Sequence, residues 1–250
     1  MLPHENILSD FEPISLKEMD SVKLQDRVDT KFMFRDILLP RIFQDMQKHY
    51  RILEVSGFRY SNYETLYYDT ENFALYLQHH NGKQNRFKFR SRKYVESNLH
   101  FFEVKFKSNK GRTVKNRIKH HEIVKELEGK ASEFLVETSG HDPSQYKARI
   151  WVNYRRHTFV SKTTQERLTI DTNLTYLDDK SRKTYDGLVI AEVKQGSALD
   201  KSPFIALMKK YHVRENSISK YCLGVISLHP EIKKNRFKPT LLYLNKLLAK

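Results

Sequence analysis

The most distinctive chemistry in the sequence is a run of basic side chains at every second position between residues 86 and 92. Successive side chains of a β-strand point to opposite faces, so these cations would share one face while Phe87 and Phe89 share the other. The run consists of Arg86, Lys88, Arg90 and Arg92. Guanidinium and ammonium groups spaced in this way could hold several oxygens of a phosphate chain at once.

The two runs that follow continue the pattern. In the run 101–107, Glu103 and Lys105 alternate with Phe102 and Val104, and the run 112–119 places Lys115, Arg117 and Lys119 on one face. Like charges that face each other across strands are destabilising, so an almost wholly cationic face calls for a polyanionic counter-charge. The general alternative is a half-buried sheet whose polar face meets water.

A second charged set lies later in the chain. Arg156 and Arg167 flank a polar turn, and Glu192 and Lys194 repeat the Glu-x-Lys spacing of the run 101–107. A carboxylate beside cations can hold a divalent metal ion that bridges phosphate oxygens, as phosphoryl transfer requires. The two sets together therefore indicate a site for a short run of phosphates in a metal-dependent phosphotransferase.

A sheet is needed to position these residues, and the hydrophobic periodicity predicts one. Strands are predicted over residues 27–34, 58–69, 86–94, 101–107, 112–119, 148–160, 167–172 and 187–195. Helices are predicted over residues 36–50, 71–79, 122–138, 203–212 and 219–228, and at the C-terminal tail. The pattern predicts an α+β fold: an eight-stranded, mostly antiparallel β-barrel tunnel with helices packed outside. We expect one domain over residues 1–250, with its core at about 27–224 and a basic amphipathic helix over 225–250.

The overall composition agrees with a polyanionic partner. Lys and Arg number 45 against 30 Asp and Glu, a formal net charge of +15. Cys222 is the single cysteine, which fits a reducing compartment, and neither a signal peptide nor a membrane-spanning run is found, so we expect a cytoplasmic protein. The basic tail leaves two readings open: docking on an anionic membrane surface or a protein partner, or packing on the barrel.

The order of short motifs resembles that of a known family. The motifs are Arg27-x-Asp29-x-Lys31, Tyr67-Tyr68-Asp69-Thr70, Arg90-x-Arg92-x-Tyr94, Glu103-x-Lys105, Lys115-x-Arg117, Tyr154-x-Arg156, Arg167-x-Thr169-x-Asp171, Glu192-x-Lys194 and Ser219-Lys220-Tyr221. They resemble the VTC domain, the catalytic domain of the vacuolar transporter chaperone polyphosphate polymerase, in the CYTH-like superfamily of triphosphate tunnel metalloenzymes. The resemblance spans roughly residues 27–224.

The resemblance, taken with the strand pattern, implies a tunnel that grips the triphosphate of ATP and a growing inorganic polyphosphate, assisted by Mn²⁺ or Mg²⁺. The implied catalytic residues are Lys31, Arg90, Arg92, Arg156, Arg167 and Lys220. The implied substrate-binding residues are Lys88, Lys105, Lys115, Arg117, Tyr154, Lys194 and Ser219, with Tyr154 at the nucleotide end. The candidate metal ligands are Glu192, Glu103 and Asp29.

One departure from the family pattern bears on the reaction. The triphosphatase branch opens with Glu-x-Glu-x-Lys, whereas Arg27 and Asp29 stand at the two glutamate positions here. Fewer carboxylates argue against a two-metal hydrolytic site and favour the polymerase branch. No glycine-rich phosphate loop occurs, so ATP would be held mainly by side chains.

Three functions stay open at this point. The first is an ATP-dependent polyphosphate polymerase. The second is a metal-dependent tripolyphosphatase or nucleoside triphosphatase, in which Asp29 and Glu103 would have to serve as further metal ligands. The third is a noncatalytic module that binds polyphosphate or RNA, which should tolerate the loss of Glu192.

Overall fold

A computed structural model describes residues 5–20, 28–110, 112–196, 201–217 and 219–249 of the chain. Its strands are β1 (Pro13–Ile14), β2 (Val28–Arg35), β3 (Tyr50–Leu53), β4 (Ser61–Asp69), β5 (Arg86–Tyr94), β6 (Leu99–Lys107), β7 (Thr113–His120), β8 (Lys147–Ser161), β9 (Glu166–Leu177), β10 (Arg182–Tyr185) and β11 (Leu188–Gln195). Its α-helices are α1 (Glu5–Leu8), α2 (Leu16–Asp20), α3 (Leu39–Met46), α4 (Ala74–His80), α5 (Gly129–Ser139), α6 (Pro203–Lys210), α7 (Lys220–Leu228) and α8 (Lys238–Leu248). Arg27, which heads the first motif and the first predicted strand, lies outside the described residues.

All eight predicted strands are present and form one continuous antiparallel path. Their order is β2-β11-β9-β8-β4-β5-β6-β7, and the short strands β1, β3 and β10 are added beside this path. Only the pairing of β1 with β3 is parallel among the described strands. The prediction of an α+β fold built on a mostly antiparallel sheet is confirmed.

The two ends of the strand path do not close onto each other by hydrogen bonds. Among the described residues no backbone pairing joins β2 to β7. Instead, the segment between α6 and α7 runs beside β2: Phe32 forms a β-bridge with Glu215, and the N–H of Asn216 donates to the carbonyl of Lys31. The eight-stranded tunnel therefore has a seam, and part of that seam is occupied by the chain itself.

The seam is explained by where the two flanking helices pack. Phe204 and Met208 of α6 join Phe32 and Phe34 in a core that also contains α3, on the outer face of the sheet. A second outer core, around Phe89, lies under α5. Helix α7 instead packs on the inner face. The chain must therefore pass from the outer to the inner face between α6 and α7, and it does so along the edge of β2.

The inner face is apolar at one end. Met33, Ile150 and Tyr176 pack there against buried residues of α7 and α8. Burial of each large apolar side chain stabilises the folded state by roughly 1.5–3 kcal/mol. Gly224 allows α7 to lie this close, because a Cβ at that position would come within 2.6 Å of the Tyr176 ring. Helix α8 packs Leu244 and neighbouring apolar side chains against this core. No helix among the described residues is long and apolar enough to cross a membrane.

A β-bulge in β9 sets which side chains face inward. The register of β9 on β8 shifts between Asn153 and Arg155, and Asn173 adopts a left-handed conformation with φ 54°. Asparagine tolerates this conformation better than most residues, and the extra residue of a bulge switches the phase of the strand. As a result, Asp171 faces inward before the bulge and Tyr176 faces inward after it. The predicted strand stopped at residue 172, whereas β9 continues to Leu177.

Three predicted helices are much shorter in the structure. In place of the C-terminal helix predicted over 225–250, α7 ends at Leu228 and α8 covers only Lys238–Leu248. The predicted helix 36–50 is a 3-10 turn at Asp36–Leu38 followed by α3, and Tyr50 already begins β3. The predicted helix 122–138 begins only at Gly129, because the preceding segment is bonded to the sheet. There the N–H of Val124 donates to Ser91 Oγ over 3.0 Å, and the Val124 carbonyl accepts the hydroxyl of Tyr68.

Candidate functional site

Strand register brings most of the predicted site residues onto the inner face beyond the apolar end. Residues paired in register point the same way, and they connect the strands into one charged surface. The register pairs are Glu192 with Lys31, Lys194 with Asp29 and Arg167, Arg156 with Asp171, Arg90 and Arg117 with Glu103, and Lys105 with Lys88 and Lys115. The basic site is defined here by Lys31, Lys88, Arg90, Arg92, Lys105, Lys115, Arg156, Lys194 and Lys220.

Glu103 lies at the centre of the β5–β6–β7 part of the basic site. Its side chain is fully buried; it accepts Arg90 Nε over 2.5 Å and forms a second ion pair with Lys115. Burial opposes ionisation, but Arg90, Arg92 and Lys115 hold the pKa of the Glu103 carboxyl well below its usual range. A buried carboxylate is tolerated when it is paired in this way, and Glu103 in turn keeps its cations in place. Ligation of a metal by Glu103 stays a prediction.

Glu192 occupies the opposite wall, on β11. Its two oxygens lie 3.2 Å from Lys31 Nζ and 2.6 Å from Lys194 Nζ, and 17% of the side chain is exposed. Burial opposes ionisation here as well, but Lys194 and Lys31 hold the pKa of the Glu192 carboxyl well below its usual range. Lysine ammonium groups on flexible stems are easier to displace than a buried arginine fork. Glu192 is therefore the more exchangeable of the two carboxylates.

Lys105, on β6, is influenced by charges from both walls of the site. Burial lowers the pKa of the Lys105 ammonium to about 7, with Lys88 and Arg90 acting in the same direction. Glu192 and Asp29, from β11 and β2, raise it and so offset part of this shift. Burial, together with Arg90, likewise lowers the pKa of Lys115 to about 8. Both lysines carry a charge that a bound polyanion would stabilise.

The first turn of α7 projects into the basic site. Ser219 caps the helix by accepting the N–H of Cys222 over 3.3 Å, and it also accepts Lys88 Nζ over 2.8 Å. Lys220 Nζ reaches Asp171 Oδ2 over 2.6 Å. Cations and a helix N-terminus that face the same space form an anion-binding arrangement. Ser219 and Lys220, predicted only through the family resemblance, are thus brought together with the strand residues.

Tyr154 is buried beneath the cations. Its ring stacks on Tyr63 with a centroid separation of 5.0 Å and an interplanar angle of 7°, and Lys220 Nζ lies 5.0 Å from its centroid. The guanidinium of Arg156 lies 5.3 Å from the same centroid. Only 5% of Tyr154 is exposed, so its ring supports the basic site from below. A contact of Tyr154 with a nucleotide stays a prediction.

Two predicted residues lie at the margin. The Arg117 guanidinium stacks over Phe101 at 4.5 Å and is exposed. Arg167 donates from Nη2 to the carbonyl of Met19 in α2 over 3.2 Å, so the N-terminal part of the chain reaches this end of the site.

Asp171 is the site residue whose role sequence reasoning missed. It accepts Arg156 Nε over 2.6 Å and Arg156 Nη2 over 2.7 Å, in addition to its ion pair with Lys220. The signal was present in the Arg167-x-Thr169-x-Asp171 alternation, which places Asp171 on the same strand face as Arg167.

The carboxylates of the basic site fit a metal ion only together with phosphate oxygens. The described part of the chain contains no group of three or more His, Cys, Asp or Glu side chains that could hold a metal. Glu192 and Asp29 are diagonal neighbours on β11 and β2, because Glu192 pairs with Lys31 and Asp29 with Lys194. Magnesium-like ions are commonly held by one or two carboxylates, with phosphate and water completing the shell. Glu192 and Asp29 match that donor set.

Comparisons with known proteins identify one family model and several solved structures that are similar to this chain. A family model described as the VTC domain matches residues 26–229. A proposed adenylate cyclase from Vibrio parahaemolyticus is 15% identical, with a TM-score of 0.48 over 80% of this chain and 99% of that one. A second proposed adenylate cyclase, from Bacillus halodurans, is 13% identical, with a TM-score of 0.49 over 78% and 94% of the two chains.

A Hippeastrum protein named as an adenylyl cyclase and described as having a dominant triphosphatase activity is 12% identical, with a TM-score of 0.48 over 79% and 94% of the two chains. No curated protein matches this chain. Because the family model spans residues 26–229 of the 250, the chain belongs to the VTC domain family.

Proposed function

We propose that this protein is an ATP-dependent polyphosphate polymerase, which transfers the γ-phosphate of ATP to a growing polyphosphate chain in the basic site. The observation that carries the proposal is the convergence of nine cations, from six strands and α7, on one inner face with few carboxylates. Membership of the VTC domain family supports the choice of a phosphate polymer as the product.

The proposed reaction needs no covalent enzyme intermediate. A terminal oxygen of the chain, or of phosphate, attacks the γ-phosphorus in line; a new P–O bond forms, the bond to the β,γ-bridging oxygen breaks, and ADP leaves. The protein contributes positioning and charge stabilisation during this step.

Each part of the basic site has a role in that step. Arg90, Arg92 and Arg156 bind phosphate oxygens through planar forks held at fixed angles by their neighbours. Lys88, Lys105 and Lys115 line the β5–β6–β7 wall, along which the chain would lie. A divalent metal ion, with Glu192 and Asp29 as its protein ligands, would supply further neutralisation of charge on phosphate oxygens.

Product analysis tests the proposal. Purified protein is incubated with ATP and Mn²⁺, with and without a short polyphosphate primer, and the products are resolved on a gel. A ladder of lengthening polyphosphate that is lost in Glu192→Ala is the expected result. Release of phosphate without a ladder would instead indicate a triphosphatase. Tight polyphosphate binding without turnover would indicate a binding module, and competition by RNA with a steep salt dependence would identify RNA as its ligand.

Asp45→Asn is a matched control for the loss of one negative charge. Asp45 lies on α3 and pairs with Lys210 Nζ at 2.6 Å, on the outer side of the sheet. Its loss should leave the ladder unchanged. A ladder that disappears equally in Asp45→Asn and Glu192→Ala would count against a specific role for Glu192.

A further inference from the structure

Asp171 stands at the junction of two strands and the helix that closes the basic site. It lies on β9, in register with Arg156 of β8. Its carboxylate is 1% exposed and binds Arg156 through both oxygens, at 2.6 Å from Nε and 2.7 Å from Nη2. Oδ2 also lies 2.6 Å from Lys220 Nζ. One carboxylate thus holds a strand cation and a helix cation together.

This arrangement leaves part of the Arg156 guanidinium available. The contacts to Asp171 use Nε and Nη2 of Arg156. No described residue accepts a hydrogen bond from the remaining nitrogen, Nη1. The rings of Tyr63 and Tyr154 lie 5.2 Å and 5.3 Å from the guanidinium carbon and restrict it further. The fork is therefore fixed in orientation and still able to donate to an added phosphate oxygen.

Asp171 adds a negative charge to a site that binds anions. Arg156 and Lys220 lower its pKa to about 2 although burial opposes ionisation, so the charge is present at neutral pH. A fixed anion repels an incoming phosphate chain, and its retention requires a compensating effect. Alignment of two cations that would otherwise repel each other supplies that effect.

The same turn of α7 is held on its other side by a second aspartate. Tyr221 donates its hydroxyl to Asp69, which also accepts the N–H groups of Leu75 and Tyr76 at the start of α4. Asp69 touches no cation of the basic site among the described contacts. The two aspartates therefore differ: Asp69 anchors the turn, whereas Asp171 joins it to a phosphate-binding arginine.

We propose that Asp171 is a positioning residue that presents Arg156 and Lys220 to the substrate phosphates as one oriented pair. The proposal rests on the proposed function in that it takes the basic site to be the phosphate site. It distinguishes positioning from charge balance, because the two predict opposite signs. Removal of a mere counter-charge should strengthen polyanion binding, whereas removal of a positioning residue should weaken it.

Calorimetric titration with tripolyphosphate in metal-free buffer tests this sign. Wild type, Asp171→Asn, Asp171→Glu and the outer-face control Asp45→Asn are compared. We expect Asp171→Asn to raise the Kd about tenfold, a change of roughly 1.4 kcal/mol, despite its gain of one positive charge. Asp171→Glu should recover part of the loss, and Asp45→Asn should bind like wild type. Equal or tighter binding by folded Asp171→Asn would overturn the proposal.

A double-mutant cycle covers the case in which Asp171→Asn folds poorly. In a Lys220→Gln background Asp171 keeps its paired contact with Arg156 but no longer joins that arginine to α7, so Asp171→Glu should raise the Kd less than it does in the wild-type background. A loss as large as in the wild-type background would overturn the proposal. Wild-type protein that does not bind tripolyphosphate at all would overturn the proposed function first, which keeps the two failures distinguishable.

Discussion

Lys88 Nζ donates a hydrogen bond to Ser219 Oγ over 2.8 Å, and this contact joins the first half of β5 to the N-cap of α7. The two residues are 131 positions apart in the sequence. Because Ser219 also accepts the N–H of Cys222, one hydroxyl oxygen serves the helix and the basic site at once. The first turn of α7 is therefore both a structural cap and a wall of the site.

The double role of Ser219 can be separated by a matched pair of variants. Ser219→Ala and Ser202→Ala each remove an N-cap, and each should lower the free energy of unfolding by about 1 kcal/mol in urea denaturation. Ser202 caps α6 on the outer face by accepting the N–H of Ile205 over 3.1 Å. Only Ser219→Ala should also weaken tripolyphosphate binding, by roughly threefold or more, since Lys88 loses the hydrogen bond that orients its ammonium beside the first turn of α7. Equal binding by both variants would show that Ser219 acts on the helix alone.

Glu103→Gln should destabilise the fold strongly. The substitution leaves Arg90 and Lys115 without their buried counter-charge, and loss of one partner of a buried ion pair costs about 3 kcal/mol. Urea denaturation monitored by circular dichroism measures the change. Arg51 pairs with the exposed carboxylates of Glu12 and Glu18, so Glu18→Gln is a control that should lower the stability far less than Glu103→Gln. Similar losses of unfolding free energy in the two variants would show that the buried ion pairs of Glu103 stabilise the fold no more than the exposed pair of Glu18 does.

Phosphate binding should take up protons near neutral pH. Burial lowers the pKa of Lys105 to about 7 and that of Lys115 to about 8 in the free protein, and a bound polyanion raises both. The contribution of these two lysines to the affinity is therefore complete below about pH 7, and it falls as the pH rises towards their pKa in the bound state. Arginine stays charged throughout, so Lys105→Arg should flatten the slope of log Kd against pH between 7 and 9. The ligand's own ionisation cancels in the comparison, and identical slopes would contradict the assignment.

Binding of Mn²⁺ should depend on the presence of phosphate. Lys31 and Lys194 occupy both oxygens of Glu192, so the metal competes with two cations until a polyanion draws them away. We expect tripolyphosphate to tighten Mn²⁺ binding at least tenfold beyond its own chelation, and the coupling must be reciprocal. Electron paramagnetic resonance of free Mn²⁺ measures it, with Glu192→Gln as the variant that should lose the gain. Equal gains in wild type and Glu192→Gln would place the metal elsewhere.

Much of the fold was predictable because the relevant signals are local. The alternation in β5, β6 and β7 showed that Arg90, Lys105 and Lys115 share one face, and all eight predicted strands are present in the sheet. Helix lengths were less predictable. Residues 122–128 have a helical pattern, but Val124 is bonded to Ser91 and Tyr68, which lie more than 30 residues earlier. Tertiary hydrogen bonds outweighed local propensity there.

By itself the sequence determined the chemistry of the inner face: its charge, its strand phase and its family, all of which follow from side-chain types at short spacing. Only the tertiary structure decided which cation meets which carboxylate. The bulge at Asn173 reverses the phase of β9, and the passage of the chain beside β2 carries α7 to the inner face. The contacts of Asp171 with Arg156 and Lys220 depend on both events. Such contacts join distant segments, and their geometry is set by register and packing that no local pattern encodes.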